Sequence, residues 1–264
     1  MDIVTDIERE QIVNLLREGK RIDGRGFDDV RAIKITQTVI SKAEGSAEAR
    51  LGESRVLAGV KIQVGKPFPD TPDEGVVITS SELYPIASPT FELGPPGEQA
   101  IELARVVDRG IRHSNAINRQ DLCIQTGEVV YMVLVDLYVL ADHGNLIDVS
   151  TLAAVGALLD TKLPKVKMSE GGEPELLAET IALKMGPPPL TITFAKIGDS
   201  IIADPSHEEE RVLDGRLSIS IDGDEAISSM QKWGTVPFTL QETTDCVERS
   251  SKIVKKMRKQ LPKR

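Results

Sequence analysis

Three arginines, Arg105, Arg109 and Arg112, follow one another at steps of four and three, the spacing that brings side chains onto one face of a helix. On a helical projection of roughly 100° per residue with Arg105 at zero, Arg109 falls at about 40° and Arg112 at about −20°. Leu103, Ala104, Val106, Val107 and Ile111 fall on the opposite side. A guanidinium fork binds phosphate oxygens bidentately, and the row rises about 10 Å along the axis. It could therefore follow successive phosphates of a single nucleic-acid strand, so Arg105, Arg109 and Arg112 are the candidate strand-binding residues. The competing possibility is that Glu98 and Glu102, on the same side, pair with them in a solvated face.

Elsewhere the chemistry-bearing types are sparse. His113, His143 and His207 stand alone, with no second histidine or cysteine at ligand spacing, so no zinc site is expected. Gly94-Pro95-Pro96-Gly97 lacks the Gly-Lys-Ser/Thr that completes a nucleotide loop and reads as a helix start. Arg21-Ile22-Asp23-Gly24-Arg25 on its own reads as a turn with an Asp cap. Cys123 and Cys246 are too few for a disulfide framework and read as core residues in a reducing compartment.

The elements that must position these groups fit an α+β pattern. Residues 5–18 predict an amphipathic helix stopped by Gly19, and alternation from Val56 to Val64 predicts a strand with one buried face. Seven prolines between 65 and 97 leave room for only one strand, near 76–81. A helix is expected from Glu98 to Ser114. Residues 129–140 are apolar on both faces and predict a central strand covered on two sides. The stretch 150–159, rich in alanine, predicts a buried helix. After a polar connection over 164–189, ending in three prolines, strands recur from Leu190 to the 220s. A closing helix starts at a capping box of Thr239 and Glu242, with a stripe through Leu240, Val247 and Val254. Strands followed by helices in each half suggest two βαβα-type units.

The chain has 264 residues and a net charge of −9, which disfavours a free-standing nucleic-acid-binding module. Residues 252–264 carry seven of the cations and no acid, leaving −16 on residues 1–251, so any nucleic-acid contact must come from a local patch or a partner. Cations at the end of a helix also suit its dipole, which is the plainer account of that tail. No apolar run reaches 18 residues, and the acidic start is unlike a secretory signal; a soluble, cytoplasmic protein without membrane contact is expected.

In combination, the motifs resemble the RNase PH family. The order is Arg21-x-Asp23-Gly24-Arg25, Gly45-Ser46-Ala47, Gly52-x-Ser54-x-Val56, the proline-rich loop, the arginine-bearing helix, the apolar strand into Asp142, and the acidic run at 208–210. The similarity spans residues 20–258. It implies one RNase PH-like domain over 1–264, with mixed sheets packed by helices, halves at 20–163 and 190–258, and 164–189 as a connecting loop.

Active members of that family are phosphorolytic 3′-5′ exoribonucleases. They carry a Gly-Ser/Thr-Arg element after the core strand and, beyond an acidic triplet, an aspartate six residues on. This chain has Gly144-Asn145-Leu146-Ile147-Asp148 at the first place, with no arginine and with Asp148 expected to repel a nucleophile. At the second it has Glu208-Glu209-Glu210 followed by Arg216, with Asp214 out of register. The resemblance therefore points to the non-catalytic subunit type of the archaeal exosome, with no catalytic residues, metal or cofactor of its own. It implies a hexameric ring of three heterodimers with an active RNase PH-type subunit, a trimeric cap of RNA-binding proteins, and RNA in the central channel. An active nuclease with an unrecognised site, and a stand-alone RNA-binding module, remain the alternatives.

Overall fold

The computed structural model describes residues 3–169 and 173–262; Lys263 and Arg264 of the basic tail lie outside them. Helix α1 (Ile3–Arg17) ends as expected at Gly19, whose φ of +73° an L side chain adopts only with strain. Strands β1 (Ile33–Gln37), β2 (Gly45–Leu51), β3 (Ser54–Gly65), β4 (Val76–Leu83), β5 (Cys123–Gln125) and β6 (Val129–Ala141) make a six-stranded sheet ordered β1-β2-β3-β6-β4, with β5 on β6. Its pairs are antiparallel except for β4 beside β6, whose parallel pairing requires the crossover that carries α2 (Glu98–Arg112). Val56, Ala58, Val60 and Ile62 are buried and their neighbours more open, as the period of two requires.

Strand β6 departs from expectation. It is central, but only one face is covered: Val133, Val135, Leu137 and Val139 are fully buried, whereas Met132, Leu134, Tyr138 and Leu140 are half-buried. No second layer covers this outer face among the described residues, and Asp136 lies on it, bonded to Ser80 at 2.6 Å.

Helix α3 (Leu146–Asp160) is the pivot of the molecule. It packs against β1, β2, β3 and β6 on one side and β9 on the other, which is why every residue from Leu146 to Leu158 is buried. Small residues make that approach possible, since a Cβ on Gly156 would lie 2.8 Å from Ile35 Cγ2 and 3.0 Å from Ala47 Cβ. Truncating a fully buried side chain such as Leu152 there costs about 2–5 kcal/mol.

The 164–189 segment is not simply a loop. β7 (Lys162–Met168) and β8 (Pro174–Ala182) pair as a two-stranded ribbon with both faces largely exposed, which its mixed charge disguised as polar loop. The second half follows: β9 (Leu190–Ile197), β10 (Ser200–Ala203), α4 (His207–Val212), β11 (Gly215–Ile221), β12 (Ile227–Gly234) and α5 (Leu240–Arg258). Its antiparallel sheet runs β10-β9-β11-β12, so β12 is an open edge. The capping box forms, with Thr239 Oγ1 accepting from the Glu242 amide at 3.2 Å and Glu242 Oε2 accepting from the Thr239 amide at 2.7 Å. The buried stripe is Cys246, Ser250, Ile253, Val254 and Met257; Leu240 sits beyond the sheet and is exposed. Cys123 is half-buried and Cys246 buried, both as free thiols. No helix of the described residues is long and apolar enough to cross a membrane.

Candidate functional site

Helix α2 buries Leu103, Ala104, Val106, Val107 and Ile111 and turns its arginines the other way, as the projection requires. Arg105 is exposed and has no hydrogen-bond or ion-pair partner among the described residues. Arg112 is exposed, with Nε 3.4 Å from Asp108 Oδ2. Arg109 is half-buried where α2 crosses β12; its Nη2 donates to Gln231 Oε1 at 2.6 Å and its Nε is buried without a partner. The acids that could have neutralised the row do not: Glu102 turns to Arg216 on β11 (3.0 Å), and Glu98 makes no ion pair among the described residues. Asp108 is the nearest carboxylate, and burial raises its pKa against the pull of Arg112 and Arg105. The face is thus left with cationic capacity.

A second locus lies at the start of α3. Gly144 (φ +85°) and Asn145 (φ +55°) both take the left-handed conformation, and a Cβ on Gly144 would meet the His207 amide nitrogen at 2.6 Å, so this turn is pressed onto α4. Helix N-termini attract anions. Here that place is taken from within: the Asn145 amide donates to the Glu210 carboxyl, Oε1, at 3.0 Å. Burial pushes the Glu210 carboxyl up to about 7, against the Asn145 hydrogen bond and the Arg216 charge. Glu210, Asp142 and Arg216 line the same small cavity with Gln99 and Glu102. No cationic side chain is present between 144 and 148.

The expectation for Asp148 is corrected. It does not face this locus; it is fully buried and points to β9, accepting from Asn145 Nδ2 (2.7 Å), the Thr193 amide (3.0 Å) and Thr193 Oγ1 (2.7 Å). Burial pushes its carboxyl up to about 7, against those hydrogen bonds and helped by the charge of Asp204. The local carboxylates are instead Glu210 and Asp142. Asp214 faces elsewhere, receiving Arg9 at 2.9 Å and the Gly198 amide at 2.7 Å.

The Arg21-x-Asp23-Gly24-Arg25 turn does more than cap itself. Asp23 accepts from the Arg25 amide at 3.1 Å, as an Asp turn should. Arg21, however, has a side chain with no exposure and forks onto Glu209 of α4, with Nε to Oε1 at 2.9 Å and Nη2 to Oε2 at 2.5 Å. Arg25 and Arg31 both reach the buried Asp204, at 2.8 and 2.7 Å. Burial alone would raise the Asp204 carboxyl; the hydrogen bonds and charge of Arg31 hold it below the usual carboxylate range. These bonds join the two halves directly behind the α3 turn. Long-range partners of this kind, with sequence separations of 173 to 188, leave no local pattern, so nothing in the sequence singles out Arg31 and Asp204 or joins Glu209 of the acidic triplet to Arg21.

Residues 29–164 match the 3′ exoribonuclease family, domain 1, and residues 188–253 match domain 2 of the same family. The exosome complex component Rrp42 of Thermococcus kodakarensis is 50% identical over 264 residues, covering 100% of this chain and 97% of that protein. Among solved structures, a chain of the Archaeoglobus fulgidus exosome with RNA bound to the active site superimposes with a TM-score of 0.90 at 45% identity, over 98% of this chain and 99% of that one. A chain of an archaeal exosome core matches with a TM-score of 0.85 at 41% identity, over 97% and 96%.

Proposed function

The chain belongs to the 3′ exoribonuclease (RNase PH) family, and on that premise we propose that it is a non-catalytic ring subunit of an archaeal-type exosome. Working in the cytoplasm, it pairs with an active RNase PH-type subunit in three heterodimers, beneath a trimeric cap of RNA-binding proteins. Arg105, Arg109 and Arg112 hold RNA near the partner's phosphorolytic site.

The observation that carries the non-catalytic half of this reading is the α3 N-terminus. Phosphorolysis brings inorganic phosphate against an anionic phosphodiester, so the site needs cations and amide donors to offset the repulsion. This chain fills the amide seat with Glu210 and supplies no arginine between 144 and 148. Two further features support the assembly. The outer face of the first sheet keeps Met132, Leu134, Tyr138 and Leu140 half-open, with Asp136 among them held by Ser80 at 2.6 Å, a mostly apolar face suited to a partner subunit. The relatives of matching length are exosome components. Residues 1–264 act as one unit in this reading, since Arg21–Glu209, Arg31–Asp204 and Arg9–Asp214 tie the N-terminal elements to the second half.

Mixing this chain with an active RNase PH-type homologue and weighing the product tests the assembly: a hexamer is expected, and two separate species would refute it. Changing Arg109→Glu and Arg112→Glu in that assembly should leave its mass unchanged and weaken RNA degradation. Unchanged RNA affinity would exclude the role given to the row.

A further inference from the structure

We propose that Trp233 and Arg216 form a stacking shelf for one nucleobase of the RNA, continuing the track of α2; the proposal rests on the RNA-binding role given above to Arg105, Arg109 and Arg112. Trp233 is the chain's single tryptophan and is 50% exposed, although it lies within a strand and not in a loop. The Arg216 guanidinium sits 5.7 Å from the centre of its ring, and the two residues are direct cross-strand partners of β11 and β12. Arg216 is in turn fixed by Glu102 at 3.0 Å, so the aromatic plane rests on a braced cation.

The shelf is in line with the arginine row. Glu102 precedes Arg105 by three residues, about 4.5 Å along the helix, so the ion pair it makes lies one turn beyond the row. At the other end of the same seam Arg109 holds Gln231, two strand residues and about 7 Å from Trp233 on the same face of β12. A strand whose phosphates follow Arg112, Arg109 and Arg105 is thereby led to Trp233.

The groove beside Trp233 discriminates between the parts of a nucleotide. It is lined by Glu98, Gln99, Glu102, Glu210, Leu213 and Arg216. The one guanidinium of this groove, Arg216, is already taken by Glu102, and Glu98 adds an acid unpaired among the described residues, so a phosphate finds no free cation there, whereas a neutral base offers a π-face to Trp233 and polar edges to the groove. Every base has such a face, so the shelf is tolerant of sequence, and its loss weakens single-strand binding by about tenfold.

A single tryptophan allows a direct test. The chain is labelled with 5-fluorotryptophan, assembled with an unlabelled active homologue, and followed by ¹⁹F NMR during titration with oligoadenylate or with inorganic polyphosphate of equal length. RNA should move the resonance and polyphosphate should not. Trp233→Ala should weaken RNA binding about tenfold, and Trp233→Phe, which keeps a stacking ring, should bind within about threefold of wild type. A resonance that is silent to bound RNA, or that responds equally to polyphosphate, overturns the shelf. So does a resonance that shifts on assembly and not afterwards, because the partner subunit then covers the ring. If Arg109→Glu and Arg112→Glu weaken RNA binding while Trp233→Ala does not, the shelf alone falls. If the wild-type assembly fails to bind RNA, the reading of α2 falls with it.

Discussion

Arg21→Met removes the bolt between the opening turn and α4. In the folded chain this guanidinium makes two bonds to Glu209, at 2.9 and 2.5 Å, and one each to the carbonyls of Ala203 and Asp204, both at 2.9 Å. Neither charged side chain has any exposure, so water cannot take the place of the lost partner. Glu209 would keep only the Ser206 amide and would stay buried as an unpaired anion. Breaking one side of such a pair costs about 3–5 kcal/mol, whereas an exposed pair such as Arg50–Glu48 contributes about 0–1 kcal/mol. For a chain of this size the larger figure lowers Tm by roughly 6–20 °C. Thermal and urea unfolding of the isolated chain should show that loss for Arg21→Met and almost none for Arg50→Met. Adding Glu209→Met to Arg21→Met should recover much of it, because two apolar side chains replace a charge left alone. An Arg21→Met chain as stable as Arg50→Met would refute the claim that this pair locks the halves.

The remaining predictions concern binding and pH. Replacing Arg105, Arg109 and Arg112 together by alanine should flatten the salt dependence of RNA affinity in the assembly, reducing the slope of log K against log salt by about 2, because each single-strand phosphate contact contributes about 0.7. An unchanged slope would mean the row does not touch phosphates. Asp148 holds its proton to about pH 7 in the fold, against an ordinary 3.8, so the stability it confers is full in acid and is lost as pH rises through 7. Asp148→Asn preserves the shape, its amide able to donate to Thr193 Oγ1, and has no proton to lose. Between pH 5 and 8 the wild-type chain should therefore lose about 2–3 kcal/mol relative to Asp148→Asn in denaturant titrations. Parallel curves would show that the buried carboxyl is not protonated. Asp204 acts with the opposite sign: its depressed carboxyl stabilises above about pH 4 and ceases to do so as acid protonates it, in both chains.

Periodicity carried most of the fold. Alternation at Val56–Ile62, the alanine-rich run of α3 and the Thr239–Glu242 box each depend on neighbours within one element, so the residues themselves reveal them. The same locality explains the face of α2, because a helix fixes which of Arg105 and Leu103 turns inward. What escaped was set by partners far away in the chain. The outer face of β6 stays half-open although it is largely apolar, and among residues 129–140 only Asp136 marks it as different from a buried layer. Asp148 does not meet a nucleophile as its place after Gly144 suggests, because its orientation is decided by Thr193, on a strand 45 residues later. The ribbon at 162–182 has charges on both strands and no core to betray its pairing. Glu210 closing the α3 turn and Trp233 beside Arg216 likewise needed the second sheet in place.

The central claim is that this chain cannot seat an attacking phosphate by itself. Purified alone, free of any active homologue, and incubated with RNA and orthophosphate, it should release no nucleoside diphosphates. The same preparation mixed with an active RNase PH-type subunit should release them. Nucleoside diphosphates formed by the chain alone would contradict the account.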